Sequence, residues 1–345
     1  MGNDRVQIAD EGVLAMTLLP LTMGAVNYDR FQAIRDGSVR VEGIDLEIVP
    51  LEVEEIFYRQ MKYHEFDVSE MSMSSYLAGI DAGDFPYIAL PVFPSRYFRH
   101  QSVFVRTDSG IERPEDLIGK RVGVPEYQIT ACVWLRGMMA DDHGVTPDRV
   151  TWFSGGVDSP GRVEKRPIEL PDGVTVTPIG KDETLSQLIL DGSLDALFTA
   201  HLPAAFLDRP HRVTRLFPDY KAVEKAYFAR TGIFPIMHVV VVRRSVLDAH
   251  PWIARSLLKA FTAALEKAKA DLLYRSSLKV MLPWLADHVE ETVAAMGTDY
   301  WPYGVEENRT VLDTFLRYHH SQGLSRRRRE PEEIFAPSTI DEFVI

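Results

Sequence analysis

The run Ile236–Arg243, IMHVVVVR, limits the architecture more than any other segment. Side chains of an extended chain alternate between two faces, so a nearly continuous β-branched run must be covered on both, as at the centre of a sheet flanked by helices. Apolar runs alternate with helical patterns along the rest of the chain. Strands are expected at residues 14–26, 46–50, 87–92, 102–106, 121–124, 150–153 and 194–199. Helices are expected over Val53–Tyr63 and residues 72–79, 131–142, 184–191, 245–274 and 289–318. This alternation predicts an α/β fold. A chain of 345 residues, 46% hydrophobic, exceeds one small domain, and two lobes are expected. The chain leaves the first lobe (1–107), builds a second (108–234) with a long polar insertion at 155–172, and returns (235–345). Two crossover strands then form a hinge, and a hinge makes a cleft that can close on a small molecule.

Charge and cysteine content narrow the function. A net charge of −12 argues against a nucleic-acid surface. The run Arg326 to Arg329 is followed by Glu330, Glu332 and Glu333, which reads as a solvated, ion-paired face. No stretch is long enough to span a bilayer. The single cysteine, Cys132, cannot form an internal disulfide, so packing alone must hold the fold, as suits a reducing compartment. Residues 12–26 are apolar, but Asp4, Asp10 and Glu11 precede them with only Arg5 as a cation, unlike the positive leader of a signal peptide. A buried first strand turning at Asn27-Tyr28-Asp29 is the better reading, with a cytoplasmic location.

The polar residues concentrate in residues 66–79, FDVSEMSMSSYLAG, and 93–110, FPSRYFRHQSVFVRTDSG, where a carboxylate, hydroxyls, arginines and a histidine fall at strand ends and strand-to-helix turns. With the later segment GIFPIMH at 232–238, these residues resemble the 4,5-dihydroxyphthalate decarboxylase family over roughly residues 17 to 340. The resemblance implies a two-lobed, type II periplasmic-binding-protein-like fold used by a soluble enzyme. It also implies loss of a carboxylate from a hydroxylated aromatic acid: 4,5-dihydroxyphthalate to 3,4-dihydroxybenzoate.

Such a reaction needs a carboxylate clamp, a group at the phenol and a proton donor over the ring. Arg30, Arg96 and Arg99 are clamp candidates, since a guanidinium matches a carboxylate, although each could equally serve a surface or inter-lobe ion pair. Ser72 and Ser74 lie where a helix N-terminus projects donors at an anion, and capping explains a single serine as well. Glu70 could act as an acid if desolvated, accept a phenolic proton if ionised, or pair with an arginine. His238, inside the β-branched run, is the leading acid/base candidate, with His100 and His201 behind it and the other histidines expected at the surface. Tyr127, Thr130, Trp134 and Phe234 are candidates to cover the ring, although Trp134 also suits a core.

No organic cofactor is required. Glu70, His100, His201 and His238 are residue types that bind divalent metals, but their spacings match no ligand motif. Gly155-Gly156 lacks the context of a phosphate loop, and no Gly-x-Ser-x-Gly elbow occurs. A small aromatic carboxylate is the expected partner, and a homo-oligomer is left open. A solute-binding protein of a transport system would need only the clamp, and a lyase for another small carboxylate is a further alternative. Carbon dioxide release separates the enzyme readings from the receptor.

Overall fold

The computed structural model describes residues 18–83, 85–164 and 168–340. The first strand is β1 (Leu19–Ala25), so residues 14–17 of its expected range lie outside the described residues, as does part of the 155–172 insertion. Then follow α1 (Asp29–Arg35), β2 (Ile44–Pro50), α2 (Val53–Tyr63), β3 (Val68–Ser72), α3 (Met73–Ala82) and β4 (Tyr87–Arg96). Next come β5 (Val103–Arg106), β6 (Arg121–Val124), α4 (Thr130–His143), β7 (Thr151–Ser154), β8 (Val176–Pro178), α5 (Leu185–Asp191), β9 (Ala196–Phe198), α6 (Ala204–Asp208), β10 (Val213–Arg215) and α7 (Tyr220–Thr231). The chain ends with β11 (Ile236–Arg243), α8 (Arg244–Ala249), α9 (Ile253–Leu273), α10 (Leu285–Met296) and α11 (Arg309–Ser321).

The strands form two sheets. One has the order β2-β1-β3-β11-β4, the other β10-β5-β9-β6-β7-β8. As its composition demands, β11 is interior, antiparallel to β3 on one side and β4 on the other, with Val239 to Val242 fully buried. The chain changes sheets between Arg96 and Val103 and again before Ile236, and Tyr97 N–H donates to Pro235 C=O at 3.1 Å where the two connectors meet. The strand β5 already pairs within the second sheet, so the first exchange of sheets precedes Val103.

Packing continues from one lobe to the other. The Trp134 indole on α4 donates to Ile236 C=O at the start of β11, at 2.9 Å. The ring of Tyr318 on α11 lies where a Cβ at Gly137 of α4 would sit, so only glycine permits this helix approach. Two expected helices divide. Pro251 cannot continue the first and separates α8 from α9, while the chain leaves α10 through Gly297 at φ 84° and re-enters helix only at Arg309. No helix among the described residues is long and apolar enough to cross a membrane.

Candidate active site

On β3, Glu70 and Ser72 share a face, and across the ladder they oppose Val240 and His238 of β11. Glu70 and His238 are therefore diagonal neighbours on one side of the sheet. His238 Nδ1 lies 2.6 Å from Glu70 Oε1, which also accepts from the Tyr28 hydroxyl at 2.7 Å, while Oε2 accepts the Val26 N–H at 3.0 Å. Glu70 is fully buried. Burial alone would raise its carboxyl, but the hydrogen bond and charge of His238, with the Tyr28 and Val26 donors, outweigh burial and hold it below the usual carboxylate range. Phe57 of α2 meets the imidazole edge-on at 5.0 Å. With Nδ1 engaged by Glu70, Nε2 is the ring atom left for a ligand, and the His238 side chain keeps 15% of its surface exposed.

An irregularity in β4 builds the adjoining wall. His238 pairs with Ser95 and Val240 with Leu90, so the intervening stretch of β4 bulges. Pro91 and Pro94 have no N–H to place in a ladder, which accounts for it. The freed carbonyls are taken up elsewhere: Pro91 by Gly304 N–H at 2.9 Å, Phe93 by the Trp301 indole at 2.9 Å, and Pro94 by Arg30 Nε at 2.6 Å. Arg30 is thereby set 3.8 Å from the centre of the Tyr28 ring and 4.7 Å from that of Trp301.

Ser72, opposite His238 in the ladder, caps α3 and meets Thr130 at the start of α4, hydroxyl to hydroxyl at 2.9 Å. Thr130 Oγ1 also accepts the Ser74 N–H at 3.1 Å, and the Ser74 hydroxyl contacts His319 Nε2 at 3.0 Å. Two helix N-termini from different lobes thus meet next to the ladder position opposite His238, with the Ser74 and Ser75 N–H groups taken up by the Thr130 and Ser72 hydroxyls. His319, expected at the surface, is instead fully buried, with burial lowering it to about 3.

The three arginines separate. Arg96 is buried, bound to the carbonyls of Phe234 (3.1 Å) and Pro302 (2.7 Å) and to the Asn308 amide oxygen. Burial lowers it to about 9, still cationic at neutral pH, and its fork is spent joining β4 to the C-terminal segment rather than offered to a ligand. Arg30 is committed on one edge to Pro94 and Asp29. Arg99 is buried and forms no ion pair among the described residues. Its contacts are the Met237 sulfur at 3.2 Å and Ala200 C=O at 3.5 Å, one from each sheet's side of the cleft. Burial lowers it to about 10. Of the three guanidinia, that of Arg99 alone is buried with one carbonyl, one sulfur and the Tyr97 ring as its contacts and with no carboxylate bonded to it among the described residues.

Of the remaining candidates, all but Phe234 lie elsewhere. His100 packs against Phe217 and Tyr227, has no partner for Nδ1, and is lowered by burial to about 4, so it is a neutral core histidine. His201 is exposed beyond β9. Tyr127 is fully buried beneath Arg136, whose guanidinium lies 3.6 Å from its ring centre. Trp134 is core, while Phe234 stacks on Phe98 at 4.6 Å and meets Trp301 of the adjoining wall edge-on at 5.3 Å. Cys132 is buried, its thiol pushed up to about 12. No group of three His, Cys, Asp or Glu residues placed to hold a metal occurs among the described residues.

Sequence reasoning passed over Tyr28, Trp301 and Phe57. Only the position of Tyr28, in the turn after the first strand, could have marked it. Phe57 also lines a cavity of about 630 Å³ between α2 and the second-lobe insertion, with Lys62, Glu126 and Arg162. Arg162 spans that cavity, with Nε 2.8 Å from Glu126 and a terminal nitrogen 3.3 Å from Glu54.

Two sheets exchanging the chain twice, with polar helix N-termini facing across the gap, define a two-lobed binding-protein architecture. A family model described as the periplasmic substrate-binding protein of a phosphonate ABC transporter matches residues 17–196. The fold is similar to the periplasmic aliphatic sulphonate binding protein of Escherichia coli, at a TM-score of 0.51 and 12% identity, covering 94% of this chain and 99% of that one. The chain is 41% identical over 331 residues to a 4,5-dihydroxyphthalate decarboxylase of Comamonas testosteroni, covering 96% of this chain and 100% of the relative. It is 43% identical over 206 residues to a protein of the same name from Pseudomonas putida, covering 60% and 80%. Within that phosphonate-type binding-protein family, the chain belongs to the 4,5-dihydroxyphthalate decarboxylase family.

Proposed function

We propose that this protein is a non-oxidative carboxy-lyase that converts 4,5-dihydroxyphthalate to 3,4-dihydroxybenzoate and carbon dioxide in the breakdown of phthalates. The observation that carries the reading is the 41% identity to the Comamonas testosteroni decarboxylase across the whole of that relative. The site supplies matching chemistry. A hydroxyl para to the departing carboxylate makes the ring carbon basic enough to take a proton. The bond to the carboxylate then breaks, its electron pair restores the ring, and carbon dioxide leaves. One proton is consumed at carbon for each turnover.

His238 is suited to deliver that proton from Nε2, because Glu70 holds the other ring nitrogen and sets the ring's orientation. Arg99, buried without an ion pair among the described residues, is the group for the retained carboxylate, and the Ser72–Thr130 hydroxyl pair joins the two lobes nearby. In this scheme Glu70 orients the imidazole and stays ionised instead of acting as an acid. Purified protein should release carbon dioxide from 4,5-dihydroxyphthalate and not from phthalate, which lacks the para hydroxyl, in a panel of hydroxylated phthalates and benzoates with chelator controls. Binding of these acids with no carbon dioxide release from any of them would overturn the reading in favour of a solute-binding protein.

A further inference from the structure

We propose that Tyr28 is a positioning residue for this site: its hydroxyl shares Glu70 Oε1 with His238 and so fixes the imidazole with its proton on Nδ1 and Nε2 toward the cleft. The role rests on the decarboxylase reading only in so far as it affects turnover.

The turn after β1 grips both carboxylate oxygens, Val26 N–H on Oε2 at 3.0 Å and the Tyr28 hydroxyl on Oε1 at 2.7 Å. Oε1 then has room for one further donor, and His238 Nδ1 stands there at 2.6 Å. Burial, and then the charge and hydrogen bond of Glu70, push the Tyr28 phenol far above its ordinary range, so it keeps its proton and donates it to Glu70. An ionised Glu70 therefore requires Nδ1–H. The alternative tautomer would set an unprotonated nitrogen against a carboxylate.

Tyr28 is itself held in place. The Arg30 guanidinium lies over its ring at 3.8 Å and Phe31 meets it edge-on at 5.7 Å. The charged and titratable groups around the carboxylate are His238 from β11, Tyr28 and Arg30 from the β1–α1 turn, and Tyr303, which burial keeps protonated. Among these, Tyr28 and His238 hydrogen-bond Glu70 through their side chains.

Tyr28→Phe removes the hydroxyl and keeps the ring under Arg30. In nitrogen-15 histidine NMR of the free protein, with His238→Gln assigning the signal, the wild type should show a protonated Nδ1 at pH 7. Tyr28→Phe should keep Nδ1 protonated but shift its signal, because Oε1 then serves His238 alone. In turnover, Tyr28→Phe should lower kcat at least tenfold with KM within twofold, and move the acid limb up by about one pH unit, because Glu70 loses a donor. Should that variant not fold, site-specific fluorotyrosine at Tyr28, a stronger donor of nearly the same shape, must move the limb the other way. Tyr274→Phe, at an exposed position, serves as the control. An unchanged His238 signal and an unchanged acid limb would overturn the proposal. The NMR measurement uses no substrate, so absence of decarboxylation in the wild type would sink the decarboxylase reading while leaving the Tyr28 result intact.

Discussion

Glu70 Oε1 and His238 Nδ1 lie 2.6 Å apart between two neighbouring strands of opposite direction, one from the first half of the chain and one from the last third. Because both strands are interior to the sheet, neither side chain can adjust by a shift of register without turning a whole apolar face outward. The pair is fixed by the fold, and His238 Nε2 is the ring nitrogen that Glu70 leaves unengaged.

His238→Gln is expected to retain most substrate binding, since a polar group of similar size remains, while kcat falls by about two orders of magnitude or more. Steady-state kinetics with the dihydroxy acid give both quantities. Wild-type turnover in this variant would make His238 a structural residue and return the proton donor to a bound water.

Glu70→Gln should change how stability depends on pH. The folded carboxyl is held below its ordinary value of 4.5, so its contribution is fully present above that value and is lost as pH falls through it. Urea midpoints of wild type and variant should differ most at neutral pH and converge as pH drops below about 4.5. A gap that stays constant down to pH 3 would show that the Glu70 carboxyl titrates alike in the folded and unfolded chain.

Arg99 and Arg96 should separate in a pair of lysine variants. Arg99→Lys keeps a charge but loses the fork, so KM should rise about tenfold with little change in melting temperature. Arg96→Lys cannot span Phe234, Pro302 and Asn308 together, so it should cost about 2 kcal/mol of stability and leave KM nearly unchanged. The reverse pattern would exchange their roles.

These two arginines also mark where sequence reading stops. Both sit in one short segment, SRYFRH, and composition cannot tell which guanidinium is held by three oxygens and which by one carbonyl and a sulfur. That depends on Asn308 and Pro302, some two hundred residues away. His238 was legible because a histidine in a β-branched run is out of place, and Glu70 because a carboxylate ahead of a serine-rich turn is. Tyr28 looked like an ordinary turn residue. His319 looked like a surface histidine at a helix end, and only the packing of α11 on the rest of the molecule buries it against Ser74 and Ser325. The bulge in β4 was written in Pro91 and Pro94, but its product, the placement of Arg30 against Tyr28 and Trp301, is a tertiary fact.

The last prediction concerns Glu224 on α7, which accepts the Gln101 N–H at 3.3 Å in the connector between the sheets. Burial raises its carboxyl to about 7, against the opposing hydrogen bonds from Gln101 and the charge of Arg99. A carboxyl raised on folding is held protonated in the native state, so its stabilising contribution is complete below the ordinary value of 4.5 and is lost as pH rises to about 7. Wild-type melting temperature should therefore carry a downward component across that interval, and Glu224→Gln, neutral at every pH, should lack it. Calorimetric scans of both proteins from pH 4.5 to 8 measure the difference directly. Parallel curves would mean that Glu224 ionises at its ordinary pH in the folded protein, with solvent reaching the connector.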